Sequence, residues 1–296
     1  MELYHLRTFI TVAQEQNLTR AAQKLFTSPP SVSAHIKALE QELNVELFIR
    51  TPRGMHLTDA GETLKQKAQH TLSAADDFLN SAQTICDQPS GCVRFGINIP
   101  PELLQISTLV ENTRNQYPHV TLEFISSVTQ LITEALQDRT LDVGYIYGDP
   151  TSDAIKTHHI MTNELVIAGP AKWAKKINNA SWKDLAALPW ICDPYYCPFQ
   201  IIAGKMFEER GLTCKKVMSI SDDATRLELI KGGIGMSVIE KRLAENSDQI
   251  VIWKTDPFFC DLNFAYPKAR ADEPLIGAIT EKVIDLWQTE VIPVLQ

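Results

Sequence analysis

Apolar residues recur at steps of three and four along roughly the first ninety positions, and beyond them the period shortens. Leu3, Leu6, Phe9, Ile10 and Ala13 mark one face of a first helix. Between residues 18 and 43 two more helices are written. Ala21, Ala22 and Leu25 share a face, with Thr19 as the expected N-cap. Phe26, Thr27 and Ser28 interrupt, and Ser28 can cap the next helix with Pro29 at its first position, where a missing N–H costs nothing. Val32, Ile36, Leu39 and Leu43 form the buried stripe of that helix. Its other face carries Ser31, Ser33, Ala34, His35 and Lys37, small or polar groups able to enter a groove. Two helices joined this tightly predict a helix-turn-helix, although a plain helical hairpin has the same pattern. Residues 45–49 then read as a strand, 51–54 as a turn and 55–57 as a return strand. This is a wing, with Arg50 and Arg53 near its tip, suited to phosphate or minor-groove contact.

Thr58 can cap a long helix, with Asp59 and Glu62 in its first turn where the dipole favours them. Leu64, Ala68, Leu72, Ala75, Leu79, Ala82 and Cys86 make a thin seam close to a heptad repeat. A helix packed on its own domain has such a stripe too, but a seam this narrow on a long polar-flanked helix predicts pairing of two chains. Residues 87–91, Asp-Gln-Pro-Ser-Gly, end the helix as a hinge. From there strands and helices alternate. Strands at 93–97, 121–125 and 141–146 enclose helices at about 100–115 and 131–139, a βαβαβ unit with a parallel sheet. A second unit has strands near 165–168, 189–191, 217–220, 235–239, 250–253 and 262–266, with helices at 199–209 and 224–231. A last helix, 276–291, is expected to return to the first unit.

The order of residues over the first sixty positions closely resembles the N-terminal domain of the LysR-type transcriptional regulators. The matching patterns are LxxFxxVAxxxxLTRAAxxL at 6–25, SxPxVSxxIxxLExxLxxxLFxR at 28–50 and LTxAG at 57–61. The resemblance implies an N-terminal all-α winged helix-turn-helix (1–58), a linker and dimerisation helix with hinge (59–91), and a C-terminal α/β two-lobed effector domain similar to periplasmic binding proteins (92–296). Lobe I is expected at 92–162 and 268–296, lobe II at 163–267. It further implies a homodimer or homotetramer that binds promoter DNA, responds to a small effector and meets RNA polymerase. The expected DNA contacts are Arg20, Ser28, Pro29, Ser31, Ser33, Ala34, His35, Lys37, Arg50 and Arg53. The recognition helix departs from the family pattern: many relatives have Gln at the place of Pro29, Arg or Gln at Ala34 and His35, and Gly at Asn44. Pro29 cannot make an amide-to-base pair, and Ala34 offers only a methyl, suited to thymine.

Composition adjusts this picture without overturning it. The formal net charge of −8 argues against non-specific coating of nucleic acid. Six basic residues balance six acidic ones in the first sixty, so placement of charge has to matter more than its sum. No apolar run approaches the ~20 residues needed to span a bilayer, and the N-terminus lacks a signal-peptide pattern, which predicts a cytoplasmic protein. The six cysteines have no C-x-x-C spacing, and neither a metal, a cofactor nor a catalytic constellation is expected. Cys192, Cys197 and Cys214 are candidates for a redox-sensing variant of the regulator. A solute-binding protein is the rival reading for the lobes alone, and the winged helix stands against it.

Ligands of open parallel sheets lie at the loops after the strand C-termini. Those loops offer Asn98, Pro100, Ser127, Thr129, Tyr147, Asp193, Tyr195 and Asp222. They hold several aspartates and no Lys or Arg, which predicts a zwitterion or amine with its carboxylate at Ser127 or Thr129. The aspartates could equally be helix caps facing water.

Overall fold

The protein is described here from a computed structural model that covers residues 2–51, 54–84, 89–98, 104–150, 152–195, 197–255 and 257–289. It divides into two compact units, 1–91 with 137–140, and 92–136 with 141–296.

In the first unit, α1 (Leu3–Glu15), α2 (Leu18–Lys24) and α3 (Pro29–Leu43) enclose a core of Leu6, Phe9, Val12, Ala22, Val32 and Leu39. Leu3 and Leu43, at the ends of the expected stripes, are exposed instead. The N-cap of α2 is Asn17, not Thr19; its side chain accepts from the N–H groups of Thr19 and Arg20 at 2.9 and 3.0 Å. Ser28 caps α3 with Pro29 at its start, as the sequence reads. Asn44 ends that helix at φ 53°, a left-handed conformation that Asn tolerates nearly as well as the glycine common there. The wing is β1 (Phe48–Thr51) paired antiparallel with β2 (Gly54–Leu57). α4 (Asp59–Thr84) follows, capped by Thr58, whose hydroxyl accepts from Gly61 N–H at 2.9 Å. Gly61 is required: a Cβ there would stand 2.3 Å from the Leu47 carbonyl oxygen.

The expected dimer seam divides along α4. Leu64, Ala68 and Leu72 pack into the core of their own unit against α1, so burial within the domain accounts for that half of the stripe. Ala75 is half-buried, and the side chains of Leu79 and Ala82, with all of Cys86, lie outside the described residues.

The second unit begins with β3 (Gly91–Ile97), α5 (Ile106–Gln116), β4 (Val120–Ser126), α6 (Thr129–Gln137) and β5 (Val143–Tyr147). β5 runs parallel to β3, and every one of its five residues is buried, as befits a strand covered on both faces. Next comes β6 (Ile155–Pro170), sixteen residues long, where the sequence pattern predicted only 165–168. α7 (Ala174–Ile177), α8 (Trp182–Ala187), β7 (Pro189–Cys192), α9 (Pro198–Glu208), β8 (Lys215–Ser219), α10 (Asp223–Gly232), β9 (Ser237–Glu240), α11 (Lys241–Glu245) and β10 (Ile250–Ile252) build lobe II. β11 (Phe258–Pro267) returns antiparallel along β6, and α12 (Pro274–Thr289) packs against α5.

β6 and β11 carry the chain between lobes. Their first and last segments respectively continue the β4-β3-β5 sheet, while the far half of β6 pairs with β9 and β10. A charged cluster fastens lobe I. Asp142 accepts from Arg94 Nε and Nη2, each at 2.9 Å, and from Arg270 Nη1, joining the start of β5 to β3 and to the turn before α12. Burial alone would raise the Asp142 carboxyl, but the Arg94 and Arg270 hydrogen bonds hold it below its ordinary value.

Candidate nucleic-acid interface and effector cleft

α3 is bolted to its domain on one side and open on the other. Val32, Ile36 and Leu39 are buried, whereas Pro29, Ala34 and Lys37 are exposed and Ser31 and Ser33 half-exposed. Ser28 and Ser31 are joined by a 2.8 Å hydroxyl contact at the helix start. Arg20 is exposed and donates to the Glu15 carbonyl at 2.5 Å, and Arg50 is exposed on β1. Arg53 lies outside the described residues. His35 does not join the outward set. Its ring stands edge-on to Tyr4 at 4.9 Å, its Nδ1 contacts the Thr8 hydroxyl at 3.1 Å, and burial together with His5 lowers its pKa. It belongs to the α1–α3 contact.

Two residues the sequence reading passed over hold wing to helix. Glu40 on α3 accepts from the N–H groups of Leu47 and Phe48 at 2.8 and 3.3 Å. Gly54, at φ 130°, lets the wing approach the α1–α2 connection, where Met55 N–H donates to the Gln16 carbonyl at 2.9 Å.

In the second unit a cleft of about 40 Å³ lies between the lobes. Asn98, Val128, Thr129 and Tyr147 line it from lobe I, and Asp193, Cys197, Phe199, Ser221, Asp223 and Arg226 from lobe II. Four of the residues expected from sequence meet there: Asn98, Thr129, Tyr147 and Asp193. Thr129 Oγ1 accepts from Asn98 Nδ2 at 2.9 Å and from Tyr147 N–H at 3.1 Å. The Tyr147 hydroxyl donates to Glu240 at the end of β9, which also pairs with Arg242. Burial, reinforced by Glu240, raises the Tyr147 hydroxyl well above its ordinary value.

Three expected residues stand outside that lining. Asp222 is the N-cap of α10, accepting from Thr225 N–H at 2.7 Å, so capping accounts for it. Tyr195 is 44% exposed and Ser127 bonds through its backbone to Ile97. Pro100 lies outside the described residues.

The expectation of an acidic site without a cation is corrected by Arg226. It reaches the cleft from α10 with its side chain only 3% exposed, donating to Asp193 at 2.7 Å, to Asp223 and to the Ile220 carbonyl. Burial pushes the Asp223 carboxyl up, opposed by Arg226 and reinforced by Glu240. The i, i+3 spacing of Asp223 and Arg226 was the available signal. Burial raises Cys192, and pushes Cys197 to about 11 and Cys214 to about 12.

Residues 3–62 match the family described as bacterial regulatory helix-turn-helix protein, lysR family, and residues 87–287 match the LysR substrate binding domain. The chain belongs to the LysR family. It is a DNA-binding transcriptional regulator with an effector-binding domain. The HTH-type transcriptional regulator YofA of Bacillus subtilis is 27% identical over 90% of this chain and 92% of its own length. CysL of the same organism is 28% identical over 80% of this chain and 79% of its own. Full-length CbnR, solved with its target DNA, has the same fold, with a TM-score of 0.67 and 21% identity over 96% of this chain and 99% of that one. Among the described residues no helix of this LysR-family protein is long and apolar enough to cross a membrane.

Proposed function

We propose that this regulator is switched by a small zwitterion, an amino acid or near relative, held between the lobes and read out as altered promoter binding. The reading rests on one observation: among the described residues, two buried polar atoms of the cleft, Arg226 Nε and Asn98 Oδ1, have no hydrogen-bond partner. A buried polar atom left unpaired costs about 1–3 kcal/mol. One is a donor and the other an acceptor, and a molecule bearing both a carboxylate and an ammonium group can satisfy the pair. Charge supports the same reading. Asp193, Asp223 and Glu240 are set against Arg226 and Arg242, a surplus of carboxylate that favours an ammonium group. The Thr129 hydroxyl accepts twice and so keeps its own proton to donate to a ligand carboxylate, at a helix start that suits an anion.

A cleft of about 40 Å³ is far smaller than the ~300–1,000 Å³ of small-molecule pockets. Effector binding therefore selects a more open arrangement of the lobes, and the difference in affinity between the two arrangements is what moves the DNA-binding domains. In this reading residues 1–58 bind DNA, 59–91 link and pair copies, and 92–296 sense. A cytoplasmic homodimer or homotetramer would present two winged helices to successive half-sites, with RNA polymerase as the further partner at the promoter. Phe78, 74% exposed on the distal half of α4, supports pairing there.

A thermal-shift screen of amino acids, amines and dicarboxylates tests the effector. Ligand at 100 times its dissociation constant stabilises by about 2.7 kcal/mol. Stabilisation by dicarboxylates alone, unaffected by Asp193→Ala, would sink the reading.

A further inference from the structure

Lobe II contains a second cavity, about 350 Å³ against the 40 Å³ of the cleft, between α9 and the β7–β8 pair. Trp190, Ile191, Phe207 and Val238 give it buried apolar walls, and the Cys192 and Cys214 thiols add soft, uncharged surface. Lys216 also lines it. The volume falls within the range of small-molecule sites and suits about a dozen non-hydrogen atoms at protein packing density.

A second feature points to an occupant. Gly204 lies inside α9, where glycine is less favourable than alanine, and a Cβ placed there meets nothing within 4 Å. Neither a close backbone approach nor a turn requires glycine at this position. Its lack of a side chain leaves the cavity open.

We propose that this cavity is a second ligand site, distinct from the interlobe cleft, for a small aromatic molecule that is neutral or weakly acidic. The indole of Trp190 and the ring of Phe207, edge to face at 5.3 Å, supply aromatic surface for such a ring. Lys216 provides a cation for a hydroxylate or other acceptor on it. The site is coupled to the cleft through one strand. Trp190, Ile191 and Cys192 form its wall, and the next residue, Asp193, holds Arg226 in the cleft at 2.7 Å. A ligand that shifts β7 therefore shifts the cleft's ion pair, so the two sites influence one another reciprocally.

The probe is 2-naphthol, followed by equilibrium dialysis against the full chain. One saturable equivalent per chain is expected below about 1 mM. Gly204→Leu, which fills the space, should weaken binding by at least about tenfold. A second measurement needs no variant: bound 2-naphthol should slow maleimide modification of Cys192 and Cys214 but not of exposed Cys92. The proposal is overturned by non-saturable binding, by equal protection of Cys92, or by wild-type affinity in a folded Gly204→Leu. None of these outcomes bears on the zwitterion in the cleft, which is read with separate ligands.

Discussion

Single residues decide how the two surfaces of this regulator work. Lys37 is exposed on the open side of α3 and Arg50 on the wing, where cations suit phosphate. Each alanine substitution should weaken DNA binding across all sequences and flatten the dependence on log salt by ~1, measured by titrations at several salt concentrations. Ser33→Ala should alter sequence preference instead. His35→Ala is expected to do neither, because its ring is committed to Tyr4 and Thr8; a retained operator preference with a lower unfolding midpoint is the outcome to look for. These outward groups were legible from spacing, since polar positions opposite Val32, Ile36 and Leu39 leave little freedom. His35 was not, because a ring at the margin of a stripe can fold back onto a neighbouring helix. Arg226 was hidden for a different reason: it reaches the cleft from inside a helix, and loop composition alone cannot reveal it. Asp142 carries a pH prediction at the same scale. Its folded pKa lies below its unfolded value, so the stabilisation it gives is present above that value, near 3.8, and is lost as pH falls through the folded one. Asp142→Asn, which removes the charged acceptor of Arg94 and of Arg270 Nη1 while Glu273 still pairs with Arg270, should lower stability at neutral pH by about 1–3 kcal/mol and flatten the acid limb of the unfolding curve.

Elements reveal where pattern has two causes. The stripe on α4 fits both a coiled coil and a helix seated on its own domain, and the proximal half is of the second kind. Leu72→Glu should therefore unfold the DNA-binding unit, at about 2–5 kcal/mol for a lost core contact, with no separate effect on assembly. Phe78→Glu should leave that unit's unfolding midpoint alone and reduce the mass seen by sedimentation. If both variants remain the size of the wild type, copies pair through another surface. The long strands show a related ambiguity. Residues 262–266 of β11 read as a strand because they sit in the core, but its partner stretch 156–164 of β6 reads Lys-Thr-His-His-Ile-Met-Thr-Asn-Glu and offers no clean alternation. Among the described residues only β11 pairs with that stretch, and polar residues are tolerated on it. Backbone pairing rather than side-chain period defines such a strand, which is why its length was invisible.

At the scale of the whole molecule, the proposed switch turns on the free-energy difference between closed and open lobes. The Tyr147–Glu240 hydrogen bond spans them, from the end of β5 in lobe I to the end of β9 in lobe II, and it is buried. A hydrogen bond to a charged group contributes about 1.5–3 kcal/mol, more than most contacts of its size. With Tyr147→Phe the closed arrangement loses that contribution, while Arg242 still neutralises Glu240. The binding-competent fraction then rises, and apparent effector affinity rises with it by the same factor, about tenfold for each 1.4 kcal/mol until the open form predominates. Linkage requires the promoter to respond as well: DNA affinity without effector should move toward its effector-bound value. A direct role for the Tyr147 hydroxyl in holding ligand predicts the opposite sign, a loss of affinity with DNA binding unchanged. Titrating both ligands against Tyr147→Phe separates the two, because only the hydroxyl acting as a latch couples them.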